Sequence, residues 1–244
     1  MATILAFHAH PDDESVSTGV TLAKYADEGH RVVVVTATDG SAGEIHNYEN
    51  PEELFPKLAE MRKEELEKSL DALGVKEYEW LGYKDSGMMG TEENNDPDCF
   101  WRQDYFGPVG KLVTEIRKYK PDIILCNAID DRHIDHPRGA KLVIDSCFLS
   151  GLKKVETIED GVVQEPWRPN NIYHYIQWKS LRPDFVIDIT NHFQTKIKAV
   201  KAFKSQFYDG NETVHSTPIS TKNFIDSIEY RARDLGRLTN VDYG

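Results

Sequence analysis

Residues 31–37 read Arg-Val-Val-Val-Val-Thr-Ala. Four consecutive valines have neither a helical nor an alternating period, and β-branched side chains favour extended backbone. A strand with no polar face has to be covered on both sides, which is the situation of a parallel sheet between two layers of helix. The rest of the chain supplies the matching parts. Ile4–Phe7, Glu77–Leu81 and Asp122–Asn127 read as further strands. Between them, Ser15–Glu28 places Val16, Val20, Ala23 and Ala26 at near-helical spacing, Leu54–Leu73 is a charged amphipathic helix ending at Gly74, Val109–Tyr119 is a helix stopped before Pro121, and Gly139–Leu149 is helical again. Strands are predicted downstream at Ile172–Trp178 and Asp184–Ile189, and helices at His192–Phe207 and Thr221–Arg237. Ser86–Tyr105, rich in Gly, Asn and Asp, reads as a loop. Alternation at this pitch predicts an α/β chain: one mostly parallel, doubly wound sheet with helices on both faces, a single domain over 1–244.

Ligands of such sheets bind beyond the carboxyl ends of the strands. The first strand runs into His10-Pro11-Asp12-Asp13-Glu14, and the strand at 122–127 leads to His133-Ile134-Asp135-His136. Acids alone would be explained by a helix N-terminus, which favours negative charge by ~0.3–1 kcal/mol. That account leaves out His10-Pro11 and the second pair of histidines. Imidazoles and carboxylates at these places suit a catalytic zinc ion, with three protein ligands and the fourth corner open. His10 and Asp13, three apart across a tight turn, can face one ion, with His136 arriving from the second motif. Asp12 is then free as general base, and His133 is placed to donate to an oxyanion or a leaving nitrogen. Asp135 is expected to hold the His133 imidazole in its tautomer. His8 would share a face with His10, but three ligands suffice, and His8 reads as packing. Fe2+ accepts the same donors as Zn2+.

Composition narrows the classes. The formal net charge is −12, from 41 acidic and 29 basic residues, so a basic footprint for nucleic acid is lacking. Cys99, Cys126 and Cys147 are too few and too scattered for a disulfide framework or a thiolate metal site. No run reaches the ~20 apolar residues of a membrane span, and Met1-Ala2-Thr3 leads straight into the first strand without a basic leader, so a cytoplasmic address is expected. A nucleotide-binding oxidoreductase is excluded, because the first turn reads H-A-H-P-D-D-E where G-x-G-x-x-G is needed. A sugar- or metal-binding protein without turnover is the rival of another class. Asp12 beside a three-ligand site argues against it, since a closed structural site would supply a fourth protein ligand.

The pairing of Ala9-His10-Pro11-Asp12-Asp13-Glu14 with His133-Ile134-Asp135-His136 resembles the signature of the PIG-L/LmbE family of zinc N-deacetylases. The resemblance implies a Rossmann-like fold and removal of acetyl from an N-acetylglucosaminyl conjugate. It implies His10, Asp13 and His136 as zinc ligands, Asp12 as the base and His133 as electrostatic partner of the tetrahedral intermediate. From about residue 107 the chain resembles the bacillithiol-biosynthesis deacetylases, on segments such as C-N-A-I-D-D-R-H-I-D-H and Y-H-Y-I-Q-W-K. The first hundred residues resemble the mycothiol branch, on Y-A-D-E-G-H-R-V and D-S-G-M-M-G-T. The expected substrate is N-acetyl-α-D-glucosaminyl L-malate, with N-acetylglucosaminyl inositol or a mycothiol conjugate as alternatives. The mycothiol branch further implies Glu44, Arg62 and Asp85 near the sugar, while Arg62 also reads as a helix-surface ion pair. Arg132 reads either as a contact for malate carboxylates or as a brace for Asp130 or Asp131. Where that branch has an assisting tyrosine this chain has Asp131. Relatives form homo-oligomers, so a homo-oligomer is expected, with neither nucleic acid nor membrane as partner.

Overall fold

The computed structural model describes residues 1–46, 48–208, 210 and 217–244. Five strands form one sheet: β1 (Thr3–His8), β2 (Arg31–Thr38), β3 (Glu77–Tyr83), β4 (Ile123–Cys126) and, after the two-residue hairpin strands β5 (Ile158–Glu159) and β6 (Val162–Val163), β7 (Asn171–His174). The order is β3-β2-β1-β4-β7, and every pair in it is parallel. The valine run lies in the interior strand β2, between β3 and β1, with Val33, Val34 and Val35 fully buried. The helices are α1 (Gly19–Asp27), α2 (Leu58–Leu73), α3 (Phe106–Tyr119), α4 (Asp135–Ser150), α5 (Phe193–Val200) and α6 (Lys222–Gly236).

Both sheet faces are covered. Leu5, Phe7, Val35, Ile124 and Cys126 pack under α3 and α4, through Leu112, Val113, Ile116 and Val143. Ile4, Ala6, Val32 and Val34 pack under α1, α2, α5 and α6, through Leu22, Leu66, Leu70, Val200 and Ile228. This is the expected doubly wound α/β fold. Order reverses between β1 and β4, where the loops leaving the two strands run to opposite faces and open a crevice. Both histidine motifs leave the sheet there.

Several boundaries differ from the sequence reading. The helix expected from Ser15 begins as a π-helical turn, Glu14–Thr18, before α1. The Ser15 hydroxyl and the Val16 amide both donate to the Asp12 carbonyl, at 2.9 and 3.1 Å, which widens that first turn. The helix expected from Gly139 starts at Asp135, so the second motif enters its first turn. The long helix expected to Phe207 ends at Val200, and the turns after it bring Ser205 N and Oγ to the Glu65 carboxylate at 2.7 and 2.8 Å. Asp184–Ile189 forms no strand, and only Asn171–His174 of the stretch through Trp178 joins the sheet.

Candidate metal centre and active-site cleft

His10 follows β1 directly, Asp13 closes the turn after it, and His136 sits in the first turn of α4. His136 Nε2 lies 3.3 Å from His10 Nδ1 and 3.4 Å from Asp13 Oδ1, and His10 Nδ1 lies 3.8 Å from Asp13 Oδ2. A tetrahedral ion with bonds of about 2.0–2.2 Å has ligand–ligand edges of about 3.3–3.6 Å, so the two imidazoles stand at about that spacing, each with a different Asp13 oxygen nearby. His10, His133 and His136 also approach within 4.8 Å of one another, as do His10, Asp85 and Asp135. The set with Asp13 adds a carboxylate to two imidazoles whose outer nitrogens are engaged elsewhere. His10 Nε2 faces Asp135 Oδ2 at 3.3 Å and Asp85 Oδ1 at 3.4 Å, and His136 Nδ1 faces Asp131 Oδ1 at 3.0 Å. Carboxylates on the outer nitrogen are how ligating imidazoles are oriented.

The electrostatics ask for a cation at this point. Burial opposes a charge on His10, but Asp85, Asp135 and Asp13 together hold its pKa well above the usual imidazole range. Burial likewise opposes ionisation of Asp13, yet His136, His10 and His8 keep its carboxyl below its usual range. The Asn127 and Gln177 side-chain amides donate to its two oxygens, at 3.1 and 3.0 Å. A divalent ion fits this donor set by charge, by softness and by spacing.

Asp12 occupies an unusual backbone position, with φ of +113°. For a residue with a Cβ this costs of order 1–3 kcal/mol, and the surroundings hold it there. Its amide donates to Glu14 Oε2 at 2.9 Å, its carbonyl caps the π turn, and the Gln206 side-chain amide donates to its carboxylate. Burial first, and Asp13 beside it second, push the Asp12 carboxyl up to about 7. His133 stands across the cluster, its ring centroid 4.3 Å from that of His10. Burial and then the His10 charge bring its pKa down to about 4. Its Nδ1 accepts the Asp135 backbone N–H at 3.3 Å, which leaves a neutral ring with its proton on Nε2.

The expectation for Asp135 is therefore corrected. Its carboxylate lies on His10 Nε2 and on the Ser86 amide, at 3.3 and 3.1 Å, and only its backbone N–H holds His133. Asp85 is buried and joins this inner cluster, with Oδ1 3.9 Å from His133 Nε2. Arg62 is no surface residue: it is 1% exposed, 3.8 Å from Glu65, and its Nη1 has no hydrogen-bond partner among the described residues. A Cβ at Gly43 would stand 2.9 Å from its Nη2, so a larger residue there would displace the guanidinium. Glu44 is exposed at the rim, its carbonyl accepting from Arg62 at 3.1 Å. Arg132 braces neither aspartate; it lies 3.7 Å over the exposed Trp178 ring, while Lys179 pairs with Asp130. His8 is interior packing, bonded to the Tyr175 hydroxyl at 2.7 Å. The sequence reading missed Asn127, Gln177 and Gln206, and it named Asp131 without its contact to His136.

Residues 5–147 match the model of the GlcNAc-PI de-N-acetylase family, PIG-L. The chain belongs to this family. The matched stretch contains both histidine motifs. Among curated relatives, a protein of Thermobispora bispora named 1D-myo-inositol 2-acetamido-2-deoxy-alpha-D-glucopyranoside deacetylase is 36% identical over 199 residues, covering 73% of this chain and 60% of the relative. The chain spans between 47% and 65% of the length of the first four such relatives. Among solved structures, the N,N'-diacetylchitobiose deacetylase of Pyrococcus horikoshii superposes with a TM-score of 0.77 at 27% identity, over 100% of this chain and 81% of that one. A 4-carboxy-2-hydroxymuconate hydratase of Pseudomonas putida shares the fold at a TM-score of 0.73, 18% identity and coverage of 100% and 93%. The fold is thus shared by proteins named for different reactions, and the assignment of chemistry rests on the site.

Proposed function

We propose that the chain is a metal-dependent N-deacetylase acting on a 2-acetamido-2-deoxy-α-D-glucopyranoside, with the inositol glycoside as substrate. The observation that carries the reaction class is the convergence of His10, Asp13 and His136 on one point beside the half-buried carboxyl of Asp12. A zinc ion held by those three residues, or Fe2+ in its place, supplies Lewis acidity toward the acetamide carbonyl when bound. Asp12, with a pKa of about 7, takes the proton of the attacking water at neutral pH. The Nε2–H of neutral His133 donates to the oxyanion that forms on the carbonyl oxygen. The proton on Asp12 then passes to the sugar nitrogen as the C–N bond breaks, leaving acetate and the free amine. Arg62, Asp85, Glu44 and Arg132 are proposed as the substrate side of the cleft, Arg62 by its Nη1, which faces Glu65 but has no hydrogen-bond partner among the described residues, and Arg132 by its exposure at the rim.

The aglycone is argued from the relatives, whose names specify the inositol glycoside. The malate glycoside is the second reading, supported by the bacillithiol-type segments after residue 107 and by a cation, Arg132, beside the second motif. Parallel amine-release assays on the two glycosides separate them. Faster turnover of the inositol compound is expected. Faster turnover of the malate compound would move the assignment to the second reading, and turnover of neither by metal-loaded protein would contradict both.

A further inference from the structure

A cavity of about 710 Å3 lies on the α6 side of the sheet, between β7, the irregular 179–189 segment and the Val16–Thr21 turn. Its wall is largely apolar, formed by Leu125, Ile172, Ile187, Phe224, Ile228 and Leu235. Four cations line the cavity: Lys179, paired with Asp130, and the exposed Arg182 lie on the 179–189 segment, while Lys196 from α5 and Arg231 from α6 interrupt the apolar wall. Lys196 is 6% exposed, and its ammonium donates to the Val16 and Ser17 carbonyls at 2.5 and 3.2 Å, leaving one of three protons. Arg231 donates to the Gln177 carbonyl.

Neither Lys196 nor Arg231 has a carboxylate partner among the described residues. Burial and the Arg231 charge bring the Lys196 pKa down to about 7 against the pull of Glu14, which is itself bonded to Ser69 and to the Asp12 amide. Of the acids at the cavity mouth, Asp130 is paired with Lys179 and Asp184 is exposed. Two like charges beside an apolar space are unfavourable until an anion joins them. A volume of this order suits one small molecule.

We propose that this cavity is a second ligand site, separate from the metal centre, for an amphipathic carboxylate. The head group sits at Lys196 and Arg231 and the hydrocarbon body lies against the apolar wall. The inference is independent of the reaction proposed above. It does border that site, since the Arg231 guanidinium holds the backbone of Gln177, whose side chain holds Asp13.

Decanoate is the probe, titrated calorimetrically into the metal-loaded chain, with decanol as the uncharged comparator. Saturable binding at one per chain is expected, weakened about tenfold or more by Arg231→Met and for decanol alike. Ser227→Trp, at an exposed position of α6 that borders the cavity, is expected to block binding while keeping the fold, and thermal melts confirm that both variants are folded. Absence of saturable binding would overturn the proposal. So would binding that is unchanged in both folded variants, because the probe would then sit elsewhere.

Discussion

At the scale of single residues, the account assigns different work to neighbouring side chains, and substitution separates them. Asp12→Asn keeps the shape and the Gln206 contact but removes the base. Turnover is expected to fall by about 10²–10⁴, with metal content unchanged by elemental analysis. Asp135→Asn weakens the acceptor on His10, so metal affinity is expected to fall about 10–100-fold, read by competition with a chelator. If Asp135 instead served His133, metal affinity would stay and only turnover would drop. The clustering of His10, Asp13 and His136 was legible because they lie in two short motifs. The partner of Asp135 was not: it heads α4 while His133 precedes the helix, and residues two apart on such a path do not face each other. The amides that steer the carboxylates left no local pattern either, since Gln177 reaches Asp13 across 164 positions and Gln206 reaches Asp12 across 194.

At the scale of elements, close approach of α4 to β1 sets the second motif against the first. A Cβ at Gly139 would lie 2.7 Å from Phe7 Cε1 in the buried core. Gly139→Ala is therefore expected to destabilise by about 1–3 kcal/mol, measured by denaturant unfolding, with metal affinity also reduced as His136 shifts. Unchanged stability would mean the helix has room to move. The central strands were legible because apolar β-branched runs between helices have few other fates. Asp184–Ile189 shows the limit of that rule. Its apolar side chains line the cavity beside β7 without a strand partner, Phe185 being exposed and Ile189 buried, so an apolar alternation alone does not make a strand. The shortened α5 shows another, since the Glu65 contact with Ser205 redirects the chain in a way that periodicity does not record.

At the scale of the molecule, stability carries a pH signature away from the metal centre. Glu115 on α3 is largely buried near Glu79 and Glu159, with Lys118 3.8 Å away, and burial followed by the Glu79 charge pushes its carboxyl up to about 7 from 4.5. A carboxyl raised on folding contributes stability that is complete below pH 4.5 and is lost as pH rises through 7. Glu115→Gln is expected to stabilise by about 1–3 kcal/mol at pH 8 and to have little effect at pH 4, in paired thermal or denaturant melts. An equal effect at both values would contradict the assignment. No helix among the described residues is long and apolar enough to cross a membrane. The doubly wound class was legible at this scale from strand–helix alternation, whereas the aglycone was not: the sequence reading expected malate, while the curated relatives are named for the inositol glycoside. The central claim is metal-dependent deacetylation by the His10–Asp13–His136 centre with Asp12 as base. Its most direct test is amine release from N-acetylglucosaminyl inositol by native, chelated and metal-restored protein, beside Asp12→Asn with matched metal content. Release that disappears on chelation, returns with Zn2+ or Fe2+ and stays absent in Asp12→Asn is the expected result. Release that survives chelation, or persists at the native rate in Asp12→Asn, would contradict it.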